Sequence, residues 1–324
     1  MKKNNKIAVG IDIGGTNTML GIVDLSGSFL YENSFMTAGF GHLDDYIDCL
    51  GKLVEEGIKA LGKGYEIEGI GIGAPNGNIY KGTVEFAPNM PWEGVLPIVK
   101  KLGKIRKEKI VLANDADAAA IGEMIYGGAK GMRDFVVTTL GTGLGSGFVA
   151  NGTLITGHDG FAGELGHVIV DPFGRVCGCG RNGCLERYVS ANGLKSTVCE
   201  LLSETKAKSA LSSVVNDGLT APMITEAARK GDKIALKAFE YTGEIFGRKL
   251  ADVVAITGPE AIFITGGLAG AGDLLLIPTI KHMENNLMNV FKNKVKILLS
   301  SLGGNAGVLG AAALVWKNAQ VGDH

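Results

Sequence analysis

KIAVGIDIGGTNTMLGIVDL, residues 6–25, reads as an apolar run, a glycine turn and a second apolar run. Short apolar, β-branched runs on either side of a turn of this kind are the signal of a β-hairpin. Strands are therefore expected at 6–13 and 18–25, with a third at 28–36. The pattern returns in FVVTTLGTGLGSGFVA, residues 135–150, with strands expected at 135–140 and 146–150. After the first hairpin, Leu43, Ile47, Leu50, Val54, Ile58 and Leu61 recur at helical spacing. GIGIGA (69–74) and IVLAN (110–114) read as buried strands, and 115–127 as a helix capped by Asn114 or Asp115. After the second hairpin come a helix at 233–256, capped by Asp232 and ended by Gly258-Pro259, and a strand at 261–267. A helix near 273–290, a strand at 295–301 and a closing helix in GGNAGVLGAAALVWK (303–317) complete the chain. The order βββαβαβα thus occurs twice, which predicts a duplicated α/β unit: two lobes, with a ligand cleft between them that both glycine turns face.

Composition narrows the function. The 324 residues fit two domains, and a formal net charge of −1 argues against nucleic acid as the main partner. No apolar run reaches the roughly 18 residues of a membrane span, so no membrane partner is expected. Asp12 interrupts the N-terminal apolar run before it can serve as a signal-peptide core. Most of the 5 cysteines fall in one cluster, unlike a secreted disulfide framework, and a cytoplasmic location is expected. The 50 glycines gather in short clusters between apolar runs, where tight turns or phosphate-binding loops belong.

That cysteine cluster lies in GHVIVDPFGRVCGCGRNGCLE, residues 166–186. His167, Cys177, Cys179 and Cys184 are four borderline or soft ligands that can close around one zinc ion as a Cys₃His site. The alternative is three small buried cysteines, which suits a glycine-interleaved segment poorly. Glu164 and Glu186 flank the cluster and make the pocket it braces polar.

The two turns, DIGGTNT (12–18) and LGTGLGSG (140–147), offer backbone N–H groups to an anion. Each is equally a hairpin turn taken alone. Their repetition at equivalent places makes Gly14, Gly15, Thr16, Asn17, Gly141, Thr142, Gly143 and Gly145 candidates to hold nucleotide phosphates, and Asp12 a candidate to hold Mg²⁺ through water. Gly266 and Gly267, in ITGGLAGAGD, form a third junction that is either a nucleoside platform or a tight corner. Asp115 is a candidate general base or a simple helix cap, and Asp117 competes with it.

Together these segments resemble the ROK family of sugar kinases and repressors, across nearly the whole chain. GELGHV followed by CGCGRNGCLE carries the resemblance most specifically; the DIGGT and LGTGLG turns are shared more widely, with hexokinase- and actin-like ATPases. It implies two duplicated RNase H-like lobes. Residues 1–118 with a helix at 304–320 would hold sugar and phosphate, and 119–303 the zinc insertion and adenosine site. It implies Asp115 as catalytic base, and Asn89, Asn114, Asp115, Glu164, His167 and Glu186 as sugar contacts, His167 binding zinc through one ring nitrogen and a hydroxyl through the other. The implied activity is an ATP-dependent hexose kinase acting on the 6-hydroxyl, glucose being the first expectation, with Mg²⁺ and structural zinc, in a homodimer. N-acetylmannosamine, fructose or allose are alternative acceptors. A sugar-responsive repressor is a further alternative, which the few residues before Lys6 and the near-neutral charge disfavour. One departure is GAPNGNI (73–79), where many relatives carry a glycine at the position of Asn76; Asn also tolerates a left-handed turn.

Overall fold

The structure is a computed structural model that describes residues 5–205, 208–214 and 218–318, so residues 319 and 320 of the expected last helix lie outside it. Its contacts divide the chain into two compact units: Met1–Met132 with Leu154–Gly163 and Ser301–His324, and Arg133–Thr153 with Glu164–Ser300.

In order, the first stretch of chain forms β1 (Lys6–Ile13), β2 (Asn17–Asp24), β3 (Phe29–Met36), α1 (Leu43–Leu61), β4 (Glu66–Ala74), β5 (Gly77–Asn78), β6 (Thr83–Glu85), β7 (Val95–Leu96), α2 (Ile98–Leu102), β8 (Ile110–Asn114) and α3 (Asp115–Ile125). Five of the strands make a sheet in the order β3-β2-β1-β4-β8. β2 runs antiparallel to β1 and β3, while β1, β4 and β8 run parallel. Alternation decides its faces. Ile7, Val9, Ile11 and Ile13 of β1 join Ile70 and Ile72 of β4 in one core, with Tyr46, Ile47, Leu50 and Val54 of α1.

The opposite face is built for close approach. A Cβ on Gly10 would lie 2.2 Å from the carbonyl oxygen of Val308, and one on Gly71 1.8 Å from that of Ala311. Both carbonyls belong to α8 (Ala306–Asn318), whose Ala311, Ala312 and Ala313 are wholly buried. Small residues on strand and helix alike let the backbones touch. α8 also meets α3, where Gly310 sits against the carbonyl of Ala118. This packing keeps α3 whole, and the unit extends to Met132; the expected boundary at 118/119 falls inside the helix. The small sheet β5-β6-β7 was not expected, because strands of two or three residues are too short to show a period.

The second unit repeats the sheet. β9 (Phe135–Leu140), β10 (Leu144–Ala150), β11 (Thr153–Leu154), β12 (Ala261–Thr265) and β13 (Lys296–Leu299) lie in the order β11-β10-β9-β12-β13, third-second-first-fourth-fifth as before. The duplicated α/β reading is thus correct at the level of topology. Between β11 and β12 the described residues form three α-helices: α4 (Ala191–Glu204), α5 (Ala221–Arg229) and α6 (Lys233–Thr257). Asp232 caps α6 as expected, accepting the amides of Ile234 and Ala235 at 3.0 and 3.1 Å, a cap worth about 1 kcal/mol. Gly258 ends it at φ 55°. β12 stops at Thr265 rather than 267, because Gly266 turns out of the strand at φ 90°. α7 (Asp273–Asn286) follows, shorter than expected, since Leu287 is already extended. Among the described residues no helix is long and apolar enough to cross a membrane.

Candidate active site

Unit 1 gathers one set of candidate residues. The first glycine turn closes with Gly14 N–H donating to the Asn17 carbonyl at 2.9 Å. Beneath it, the buried Thr18 hydroxyl bonds Thr37 Oγ1 and Tyr46 Oη, each at 2.8 Å. Tyr46 also packs on Trp92, ring centroids 4.8 Å apart. Trp92 anchors the loop that carries Asn89, which Phe86 N–H and the Gly94 carbonyl close at 2.8 Å. A Cβ on Gly15 would lie 2.0 Å from the Asn89 carbonyl oxygen. The turn and Asn89 are therefore one packed assembly, with the Thr16, Asn17 and Asn89 side chains exposed. Asn76 takes the left-handed conformation expected of it, φ 50°, and its Nδ2 donates to the carbonyls of Glu85 and Phe86.

Asp12 is the penultimate residue of β1, and its carboxylate lies at the start of α8, where a Cβ on Gly307 would fall 2.1 Å from Oδ2. Burial, with the charge of Asp115 adding to it, pushes the Asp12 carboxyl up to about 6. No local pattern marks Gly307 beyond the glycines that precede the last helix.

The cap ambiguity at β8 is settled. Asn114 is the N-cap of α3 and its side chain accepts the Ala116 amide at 2.9 Å. Asp115 is the first helical residue, accepting the same amide at 2.8 Å while keeping a face open to solvent. Desolvation by the surrounding protein raises its carboxyl above the ordinary range, opposed by its own and the Ala116 amide. Asp117, the competitor, is buried.

Unit 2 gathers the rest. The second glycine turn closes with Gly141 N–H donating to the Gly143 carbonyl at 3.0 Å. A Cβ on Gly266 would lie 2.6 Å from the Leu140 carbonyl oxygen, so the third glycine junction abuts this turn; Gly267 follows it. Thr142 is exposed, Gly145 half-buried. A Cβ on Gly143 would lie 2.6 Å from Glu186 Oε2, which ties the turn to the cysteine segment. The Ser146 hydroxyl in β10 accepts the Leu165 amide at 3.1 Å, and a Cβ on Gly166 would meet the Leu144 carbonyl at 2.1 Å. These contacts seat the GELGH segment on the strand after the turn.

The cysteine segment folds back on itself through bridges Ile169–Cys184 and Val176–Asn182. The donor atoms of His167, Cys177, Cys179 and Cys184 all lie within 4.8 Å of one another. Cys177 Sγ is 3.8 Å from His167 Nδ1, and Cys179 Sγ 3.6 Å from Cys184 Sγ. A tetrahedral zinc ion with bonds of about 2.0–2.3 Å requires edges of about 3.5–3.8 Å, so the donor set fits such an ion. Nδ1 faces the thiols, while Nε2 faces the Glu164 carboxylate at 4.0 Å. Desolvation opposes ionisation of Cys179, yet bonds from the Arg181 amide and guanidinium and from its sister thiols lower it to about 6. Glu186 Oε1 accepts from Cys177 Sγ at 3.0 Å.

A profile of the ROK family matches residues 8–318. The chain belongs to the ROK family. Within the family it is 35% identical over 315 residues to a glucokinase of Thermotoga maritima, covering 95% of this chain and 96% of that protein. It is 35% identical over 314 residues to a glucokinase of Streptomyces coelicolor, covering 95% and 97%. Among solved structures, a ROK glucokinase from Streptomyces griseus in complex with glucose and AMPPNP aligns with a TM-score of 0.80 at 33% identity, covering 96% of this chain and 99% of that one. This ROK chain therefore has the α/β architecture of the family's sugar kinases over its length.

Proposed function

We propose that the protein is an ATP-dependent hexose kinase, a glucokinase, transferring the γ-phosphoryl group to the 6-hydroxyl of glucose. The observation that carries this reading is the start of α3: Asn114 is the N-cap, and Asp115, one of whose oxygens accepts the same Ala116 amide, keeps a face open to solvent as a base. Near-full-length similarity to glucokinases supports the acceptor.

In this reading Asp115 accepts the proton of the 6-hydroxyl as that oxygen attacks the γ-phosphorus. Asn89, Asn114, Glu164, His167 and Glu186 hold the other hydroxyls, a donor and acceptor set that penalises sugars lacking a matched group. Gly14 to Asn17, Gly141 to Gly145 and the Gly266-Gly267 junction seat the nucleotide with backbone N–H groups. Asp12 would hold Mg²⁺ through water, and the ion would neutralise phosphate charge. His167, Cys177, Cys179 and Cys184 would hold zinc, a brace that leaves Nε2 of His167 free to face a hydroxyl. The first unit, which includes the last helix, serves sugar and phosphate, and the second the adenosine and zinc. A cytoplasmic homodimer completes the proposal, as the family resemblance implies.

An ADP-release assay against glucose, fructose, mannose, allose and N-acetylmannosamine tests it. Glucose is expected to give the highest kcat/KM; ADP release with none of the five would sink the reading. Because the Asp115 carboxyl is raised and acts unprotonated, turnover should fall as pH drops through its titration.

A further inference from the structure

The segment Leu154–Gly163 interrupts unit 2. The chain leaves that unit after Thr153, spends these residues in unit 1, and returns at Glu164. Leu154 packs against the unit 1 cluster of Val111, Ala113, Ala118, Ile121, Ala313 and Leu314. Tyr80 Oη bonds Thr156 Oγ1 at 2.6 Å and donates to the Gly157 carbonyl at 3.1 Å. Asn78 is wholly buried, and its amide makes three hydrogen bonds. Nδ2 donates to the Asp159 carbonyl at 2.8 Å, and Oδ1 accepts the amides of Tyr80 and Lys81 at 3.1 Å each. Gly160, at φ 89°, lets the segment lie on Asn78: a Cβ there would fall 2.9 Å from Oδ1. A buried amide with three bonds made is costly to disengage.

Asn78 is itself anchored to the strand that ends at the proposed base. A Cβ on its neighbour Gly77 would lie 2.3 Å from the carbonyl oxygen of Ala113, one residue before Asn114. The other end of the segment is equally short of slack. Only residues 160–164 separate the Asp159 anchor from Leu165, whose amide is held by Ser146. Chain of that length spans at most about 3.5 Å per residue, so the two anchors bound how far Glu164 can move.

We propose that Asn78 and Tyr80 are positioning residues: by docking the segment 154–163 on unit 1, they set where Glu164 and His167 meet the hydroxyls of the sugar. This rests on the hexose kinase reading. The residues touch no reacting atom; they act through the tether.

The test uses Tyr80→Phe and Thr156→Ala, each removing one hydroxyl from an exposed hydrogen bond and leaving the buried Asn78 intact. Each is expected to raise the KM for glucose about 3- to 10-fold, the range that loss of one hydrogen bond allows. kcat and the KM for ATP should stay within about 2-fold. The double variant should be no worse than Tyr80→Phe alone, which already removes the Thr156 bond together with the bond to the Gly157 carbonyl. A merely structural tie would lower the melting temperature and leave the glucose KM unmoved, and that result overturns the proposal. Hydrogen exchange read on the free enzyme gives a second measurement that needs no turnover. Tyr80→Phe should speed exchange across 154–163 and onward through Glu164 to His167; faster exchange confined to 154–163 also overturns it. A wild-type protein that phosphorylates no hexose would instead defeat the kinase reading, and the exchange pattern would still decide the tether.

Discussion

The two glycine turns hold the same place in duplicated sheets but lean on different supports. In unit 1 the turn rests on main chain: Gly15 abuts the Asn89 carbonyl, and the Thr18, Thr37 and Tyr46 hydroxyls brace it from the core. In unit 2 the turn rests on a side chain, the Glu186 carboxylate beside Gly143, which belongs to the cysteine segment. Both strands end on an apolar residue, Ile13 and Leu140, but the position before it is a carboxylate in unit 1, Asp12, and a hydroxyl in unit 2, Thr139. The repeated sheets keep the turn in the same place while its surroundings differ, one toward a proposed cation and base, the other toward a proposed metal-braced sugar wall.

Four perturbations break or sharpen that contrast. The largest effect belongs to Asp115→Asn in unit 1. It should lower kcat by about 10²- to 10⁴-fold, the usual share of a general base, while glucose binding measured by calorimetry stays within a few-fold. Next is the cysteine segment: Cys184→Ser should cost bound zinc, measured by elemental analysis, and reduce kcat/KM for glucose about 10- to 100-fold with a smaller change in the KM for ATP. Equal losses for both substrates would deny the segment its special tie to the sugar. Third, Gly15→Ala and Gly143→Ala should differ in kind. The first forces a methyl against a fixed carbonyl and should cost about 1–3 kcal/mol in denaturant unfolding. The second meets the tip of a side chain that can swing, so stability should hold while the glucose KM rises.

The smallest effect is a pH dependence. Asp12 has a folded pKa of about 6 against an ordinary 3.8. The folded state then binds the proton more tightly than the unfolded one, so this group's contribution is fully present below about pH 4 and lost as pH rises through about 6. Asp12→Asn should remove that decline and melt higher than the wild type at pH 7.5. A parallel decline in both proteins would assign it elsewhere.

Much of this was legible in the chain. Both hairpins could be read because their strands are long enough to show apolar runs, and the turns because glycine marks them. The cysteine segment declared itself by four ligands of suitable chemistry at close spacing. Less visible was what depends on distant chain. Nothing local marks Gly307 as the neighbour of Asp12, or Asn78 as the seat for Asp159, because each contact joins residues far apart in sequence. The cap at α3 was ambiguous for a different reason: adjacent Asn and Asp both suit the position, and only the extended backbone of Asn114 distinguishes them.

The last helix has a consequence for how the molecule is made. α8 covers the glycine-lined face of the sheet in unit 1, yet it is translated only after the whole of unit 2. During synthesis the earlier strands must therefore wait with Ala8, Val23 and their neighbours uncovered, while the later unit can already close around its own core. A nascent chain stalled before Ala306 should offer that naked face to chaperones and proteases, and ribosome release should be the moment at which it becomes resistant to both.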